Sequence, residues 1–293
     1  MNCAARVSSR RSPIPSSADP GRPFDGVVLI NLDSRPDRLA RFRAQAAAVP
    51  ALAGWQRLSA VAGTGLPGYG RRPWFRGGRR DRVWAGRAGC VLSHRRAIEL
   101  ARAQGWRSLL ILEDDVEFDA ALNAALRTPA LAAAQWDICY LGYSRCLGPL
   151  QRVTVFDDTA SLYAVQGAYT THAYLLRTSL YDWLLRRLPT EADVWPWLAR
   201  HRAIDRWYAR HLAAHFRVAA VSPTLVGQFS DFSDIGQRGP GSDRAAHLHG
   251  RLASERAVGP AAFRLGLGLR RLQFAGAGAW DGVRAGIKRM RGF

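Results

Sequence analysis

Lysine is almost missing from this 293-residue chain: Lys288 is the single one among 42 basic residues. Arginine carries the positive charge, a bias that beside so many Ala and Gly fits genome composition as readily as chemistry. Acids are few, 23 in all, and the formal net charge is +19. The four cysteines, Cys3, Cys90, Cys139 and Cys146, show no CxxC or Cys/His spacing, which excludes the familiar zinc and dithiol motifs. The opening MNCAARVSSRRSPIPSS has no apolar stretch, so no signal peptide is expected. No run approaches the ~18 apolar residues of a membrane span. Both absences point to a cytoplasmic protein. No internal repeat is found.

What is present suffices for a core. Hydrophobic content of 48% with ten Trp allows one large α/β domain or two small ones. Segment 1–24 has four Arg against one Asp, 71–87 seven Arg against one Asp, and 236–293 eleven basic residues against three acids. Together they hold nearly all the excess, so the body is close to neutral. That argues against a nucleic-acid groove built into the fold. It suits contact with an anionic surface such as phospholipid or phosphorylated glycolipid.

The sharpest chemical signal is LLILEDDVEFD, residues 109–119. An apolar run ends in Glu113, Asp114 and Asp115, the pattern of a buried strand delivering acids to a sheet edge. Ligands bind at that carboxyl edge in open α/β sheets. Adjacent acids repel unless a cation or donors compensate them, and hard oxygen ligands suit Mg²⁺ or Mn²⁺ and hence phosphates. The plainer alternative is a solvated strand end.

Residues 1–24 are Ser/Pro/Arg-rich and read as disordered. VVLINL (27–32) is a first buried strand. Ser34 can cap the next helix, with Pro36 and Asp37 in its first turn. Residues 63–87 read as a long Gly/Pro/Arg loop, followed by a helix over about 88–104 that stops at Gly105. Further helices are expected over 120–134, 179–188 and 204–215. Strands are expected at 136–144, 168–177 and 217–223, with hairpin or loop at 145–162. Strands alternating with helices give an α/β sheet. In the tail, Trp280, Val283, Ile287 and Met290 fall on one helical face, with Arg284, Lys288, Arg289 and Arg291 elsewhere around the helix. This is the pattern of a basic amphipathic helix on a membrane surface, or of a terminal helix docked on its own core.

Several segments together resemble the family 25 glycosyltransferases, which include lipooligosaccharide galactosyl- and glucosyltransferases and collagen galactosyltransferases. They are INLDSRPDR (30–38), SAVAG (59–63), GRAGCVLSH (86–94), LLILEDD (109–115), WDICYLG (136–142), THAYLL (171–176), AID (203–205) and SPTLVGQFSDFSDI (222–235). Their order and spacing match over about residues 27–235. One departure is Arg87, where the family usually has Glu.

The resemblance implies a two-lobed nucleotide-sugar fold of GT-A type, its mixed, mostly parallel sheet covered by helices on both faces. It also implies a glycosyltransferase domain over 25–235, flanked by the basic segment 1–24 and the tail 236–293. The activity expected is metal-dependent, inverting transfer of galactose or glucose from a nucleotide sugar, UDP-sugar foremost. The acceptor would be a glycan or glycolipid such as lipopolysaccharide core. The cofactor would be Mn²⁺ or Mg²⁺, with Asp115 and Glu113 as metal ligands. Asn31, Leu32, Arg35, Arg38, Ser93, His94, Glu113 and Asp114 would hold the donor, with Arg35 or Arg38 on the diphosphate. Ser93 and His94 are placed near a helix start, where N–H groups favour anions. Alternation along the strand puts Glu113 and Asp115 on one face and lets Asp114 point into the scaffold. Asp205 is the candidate general base, and His172 and Gln228 are weaker donor or acceptor contacts. The tail would seat the protein on the inner face of the cytoplasmic membrane. A catalytically inactive relative that binds sugar nucleotide or membrane is the main alternative. A signalling receiver domain is disfavoured, because there the acids follow the first strand of a much shorter domain.

Overall fold

The computed structural model describes residues 22–156, 160–229 and 257–291, without the side chains at 275–279, 284, 288 and 291. Nearly all of the N-terminal segment, the end of the family's closing segment and residues 236–256 of the tail lie outside that range.

Among the described residues, twelve strands and eight α-helices are interspersed. The strands are β1 Gly26–Asn31, β2 Gln56–Ser59, β3 Ser108–Glu113, β4 Val116–Phe118, β5 Ile138–Gly142, β6 Arg145–Cys146, β7 Gln151–Val155, β8 Ser161–Ala164, β9 Ala168–Tyr169, β10 Ala173–Arg177, β11 Val218–Ser222 and β12 Val226–Gln228. The helices are α1 Pro36–Ala47, α2 Arg79–Ala103, α3 Leu122–Arg127, α4 Pro129–Ala133, α5 Tyr181–Leu185, α6 Val194–His201, α7 Ile204–His211 and α8 Pro260–Arg291.

Eight strands form the central sheet, in the order β2-β1-β3-β10-β5-β11-β8-β7. The pairings run β10 and β8 antiparallel to the other six, so the sheet is mixed with most strands pointing one way. Side-chain alternation sends Val28, Ile30 and Ile111 to one face, against α2, α5, α6 and α7. Val27, Leu29, Leu110 and Leu112 face the other way, against α1, α3 and α4. With both faces covered, the central strands read as unbroken apolar runs, and each buried aliphatic contributes about 1.5–3 kcal/mol. Asp137 clamps the far end of three strands: it accepts from Ser179 Oγ just past β10, and from Arg217 N just before β11, both at 2.8 Å.

The structure corrects several local expectations. Helix α2 starts at Arg79, so the last third of the expected 63–87 loop is helical. Gly77 and Gly78 adopt positive φ just before it, and the buried Asp81 carboxylate accepts from the backbone N–H of Arg76 and Gly77. The expected 120–134 helix is two helices, because Pro129 holds Thr128 extended. Ser34 makes no cap; Arg35 occupies the N-cap position of α1 without a side-chain cap bond. Residues 145–162 contain β6, β7 and the start of β8 rather than loop alone, and α6 was not expected. Its Pro196 lies in the first turn, where a missing N–H costs little.

Candidate active site

The site grows from register. Parallel pairing sets Ile30 of β1 opposite Glu113 of β3, so the residues that follow, Asn31 and Asp114, meet at the carboxyl edge. Asn31 Nδ2 donates to Asp114 Oδ2 at 2.7 Å. Arg38, in the first turn of α1, donates to Asp114 Oδ1 at 2.9 Å and lies 3.5 Å from Asp115 Oδ2. Arg38 is buried, at 7% exposure. Asp114 does point into the scaffold, as strand alternation suggested.

Its two neighbours diverge. Glu113 accepts from Thr171 Oγ1 at 3.1 Å and pairs with His94 Nε2 at 3.2 Å. Burial alone would raise its pKa, but the hydrogen bonds and nearby imidazoles hold the carboxyl below its ordinary range. Asp115 accepts from Gln228 Nε2 at 3.1 Å. Burial and the charge of Glu113 push its carboxyl up to about 7, despite Arg38.

Two cavities flank this cluster. The first, about 250 Å³, is lined by Leu32, Arg38, Ser93, His94 and the three acids, among others. It lies under a seam between the SAVAG and GRAGC blocks. Any Cβ on Gly63 would come 1.7 Å from the Ala85 carbonyl, and one on Gly89 would come 2.1 Å from that of Val61. Glycine is what lets the two segments touch. Cys90 lines the same wall; burial and the surrounding acids keep it a protonated thiol.

Four donor-site candidates are placed differently than expected. Ser93 and His94 sit in the middle of α2, not near its start, so no free helix N–H groups serve an anion there. Ser93 is an internal brace: its Oγ donates to Gly89 O at 2.7 Å and accepts from Val61 N at 2.8 Å. Asn31 and Arg35 do not line the cavity. Asn31 is engaged with Asp114, Arg57 and the Arg35 carbonyl, and Arg35 lies along Asp37 at 2.8 Å. Arg87 is half-buried on α2 beside the lining residue Gly86.

The second cavity, about 370 Å³, brings together Asp205, His172 and Gln228, with Tyr143, Tyr169 and Arg206. Asp205 lies in the first turn of α7 and accepts from Arg206 N at 2.7 Å and Thr170 N at 3.3 Å. Thr170 holds φ at +69°, a strained setting for a β-branched residue, and such strain concentrates at functional sites. His172 braces the wall, its Nε2 3.1 Å from Val226 O and its Nδ1 3.1 Å from Thr170 Oγ1. Burial lowers its pKa, so the ring is neutral and Nε2–H donates to the carbonyl. The Asp115–Gln228 contact joins the two cavities.

A divalent cation, implied by the resemblance, fits this cluster. Burial first, and then the charge of Glu113, make an ionised Asp115 costly, a cost that a cation would offset, and both carboxylates line the same cavity. Among the described residues, Cys90, His94 and Glu113 also bring ligand atoms within 4.8 Å of one another. Both His94 nitrogens are already engaged, with Glu113 and with Tyr174 OH at 2.8 Å.

Among the lining residues that sequence reasoning missed are Tyr143, Arg145, Thr170, Tyr169 and Arg206 of the second cavity, and Arg82 and Thr64 of the first. THAY and AID flagged their neighbours only.

No family model matches the chain. It is 32% identical over 169 residues, 53% of the chain, to a human protein named inactive glycosyltransferase 25 family member 3. It is 26% identical over 261 residues, 80% of the chain, to the mouse protein of that name. The chain spans 27% and 43% of these relatives' lengths, under half in both cases. Among solved structures, mannose-1-phosphate geranyltransferase from Thermus thermophilus is 14% identical with a TM-score of 0.31, the match covering 67% of this chain and 72% of that one.

Proposed function

The chain is related to the glycosyltransferase 25 family, and from that premise we propose that it transfers a hexose, galactose or glucose, from a nucleotide sugar to a hydroxyl of a glycan or glycolipid. The observation that carries the reading is the pair of cavities joined at Asp115 and Gln228, one ringed by acids and one holding Asp205.

In this reading the first cavity takes the donor. Leu32 and the 62–64 segment line it and suit the nucleoside. Arg38 is the cation for the diphosphate, and its ties to Asp114 and Asp115 fix its fork before the donor arrives. Asn31 positions that fork rather than touching the donor. Asp115 and Glu113 would hold Mn²⁺ or Mg²⁺, which when bound supplies positive charge against the leaving diphosphate. His94 keeps Glu113 ionised and oriented.

The second cavity takes the acceptor. Asp205 is the general base: two backbone N–H groups fix its carboxylate, leaving lone pairs for an acceptor hydroxyl. A base on the acceptor side and a leaving group on the donor side give inversion at the anomeric carbon. Tyr143 and Tyr169 are suited to sugar faces, and Arg206 favours an acceptor with acidic groups nearby.

A second reading has a specific observation behind it. Both curated relatives are named inactive, so the chain would bind sugar nucleotide without turnover. A screen of purified protein for donor hydrolysis across UDP-, GDP- and CMP-sugars with Mn²⁺ separates the two. Release of nucleoside diphosphate from one donor class, lost in Asp205→Asn or Asp115→Asn, supports the transferase. Donor binding with no release under any condition supports the inactive relative.

A further inference from the structure

Nine large hydrophobic side chains stand exposed among the described residues, and seven of them are on α8: Leu265, Leu269, Leu272, Trp280, Val283, Ile287 and Met290. Their spacing of three, four and eight residues keeps them on one face of a helix with 3.6 residues per turn. The stripe runs from Leu265 to Met290, about 38 Å at ~1.5 Å rise.

The opposite face of α8 is docked. Phe263 is 9% exposed, Asp281 forms an ion pair with Arg210 of α7, and Phe274 lies under the guanidinium of Arg210. Docking therefore fixes the stripe outward. Of the two alternatives the sequence left open, a membrane-surface helix or a helix docked on its own core, the docking holds for one face and leaves the other face outward.

Charge selects the partner. Arg264, Arg271 and Arg289 are exposed and separated by seven and eighteen residues, two and five turns, so they form a row along one flank of the stripe. Helix α8 carries seven basic residues and one acid, and that acid is the paired Asp281. A protein partner for so long a flat stripe would need acidic matching throughout, which a second copy of this basic chain does not offer. No helix among the described residues is long and apolar enough to cross a membrane. We infer that the outward face of α8 lies in the interfacial region of an anionic lipid bilayer, the apolar row at the acyl boundary and the arginine row on the headgroups.

The placement also orients the molecule. Tyr169 and Arg206 line both the Asp205 cavity and a smaller one that ends on Arg270, Phe274 and Asp281 of α8. The Asp205 cavity thus adjoins the helix that meets the lipid. Surface binding itself is independent of whether the protein transfers sugar.

The test is co-sedimentation of the full-length chain with phosphatidylglycerol–phosphatidylcholine vesicles and with pure phosphatidylcholine vesicles. Expected is binding to the first that weakens with salt, and at least about tenfold weaker binding to the second. Leu269→Gln, Leu272→Gln, Trp280→Gln and Met290→Gln combined should lower binding at least about tenfold with unchanged circular dichroism. The docked residues are untouched. Should that variant fail to fold, Arg264→Gln, Arg271→Gln and Arg289→Gln combined should remove most of the salt-dependent part. Equal binding by wild type and both variants, or no wild-type binding to anionic vesicles, overturns the inference. So does a wild-type dimer in sedimentation velocity that the stripe variant converts to monomer, since a second copy would then cover the face.

Discussion

The two cavities differ in how they are held. In the first, the charged groups are held by neighbouring side chains: Arg38 by Asp114 and Asp115, Glu113 by His94 and Thr171, and Asp114 also by Asn31 behind it. In the second, Asp205 is fixed by backbone N–H groups from its own helix turn and from a strained threonine. The first is organised by side chains, and it leaves one partly buried carboxyl, Asp115, with a raised pKa. The second is organised by backbone. A site for a charged diphosphate gains from preorganised charge, whereas an acceptor site gains from shape.

The largest expected effect comes from breaking the second cavity. Asp205→Asn should lower turnover by roughly 10²- to 10⁴-fold while donor binding survives, as steady-state kinetics and calorimetry would show. Loss of donor affinity in a folded variant would move Asp205 to the donor side.

Next is Asp115→Asn, expected to lower metal-dependent turnover by on the order of 10²-fold. Full activity of the wild type in excess chelator would end the metal assignment. The same variant sharpens the electrostatic contrast without metal or substrate. Asp115 has a folded pKa of about 7 against an ordinary 3.8. Between those values the folded state binds the extra proton, so wild-type stability falls as pH rises through the window. Asp115→Asn removes this term. It should be near neutral at about pH 4 and stabilising by up to about 4 kcal/mol at about pH 8, read from denaturant unfolding in chelator. A variant no more stable than wild type at the higher pH would show that Arg38 and Gln228 already compensate the charge.

Smaller is Asn31→Ala. It leaves Asp114 short of one buried partner, at about 1–3 kcal/mol. The donor KM should rise several-fold with the acceptor KM unchanged, because Asn31 acts through Arg38 and Asp114. A larger effect on the acceptor would blur the division between the cavities.

The same contrast explains what could be read from the sequence. The first cavity was legible because β1 and β3 are unbroken apolar runs ended by polar residues, and their parallel pairing brings INL and EDD together. That pairing also brings Arg38 to 3.5 Å from Asp115 at the same edge. Ser93 and His94 were misplaced along their helix because the Gly- and Arg-rich stretch before α2 has loop composition. Asp81 offsets that composition through backbone contacts no residue pattern displays. Asn31 and Arg35 carried the right residue types at the right edge, yet their side chains are taken up by neighbours brought close only by the fold. The second cavity was scarcely legible. It is assembled from two-residue strands, β6 and β9, from the positive-φ turn at Thr170, and from one end of α7. None of these has a period to detect.

The central claim is the division of labour across the Asp115–Gln228 contact. It is tested most directly by titrating one UDP-sugar with Mn²⁺ into wild type, Asp115→Asn and Asp205→Asn side by side by calorimetry. The account predicts wild-type donor affinity in Asp205→Asn and at least about tenfold weaker binding in Asp115→Asn. Equal affinity in all three proteins, or loss only in Asp205→Asn, would contradict it.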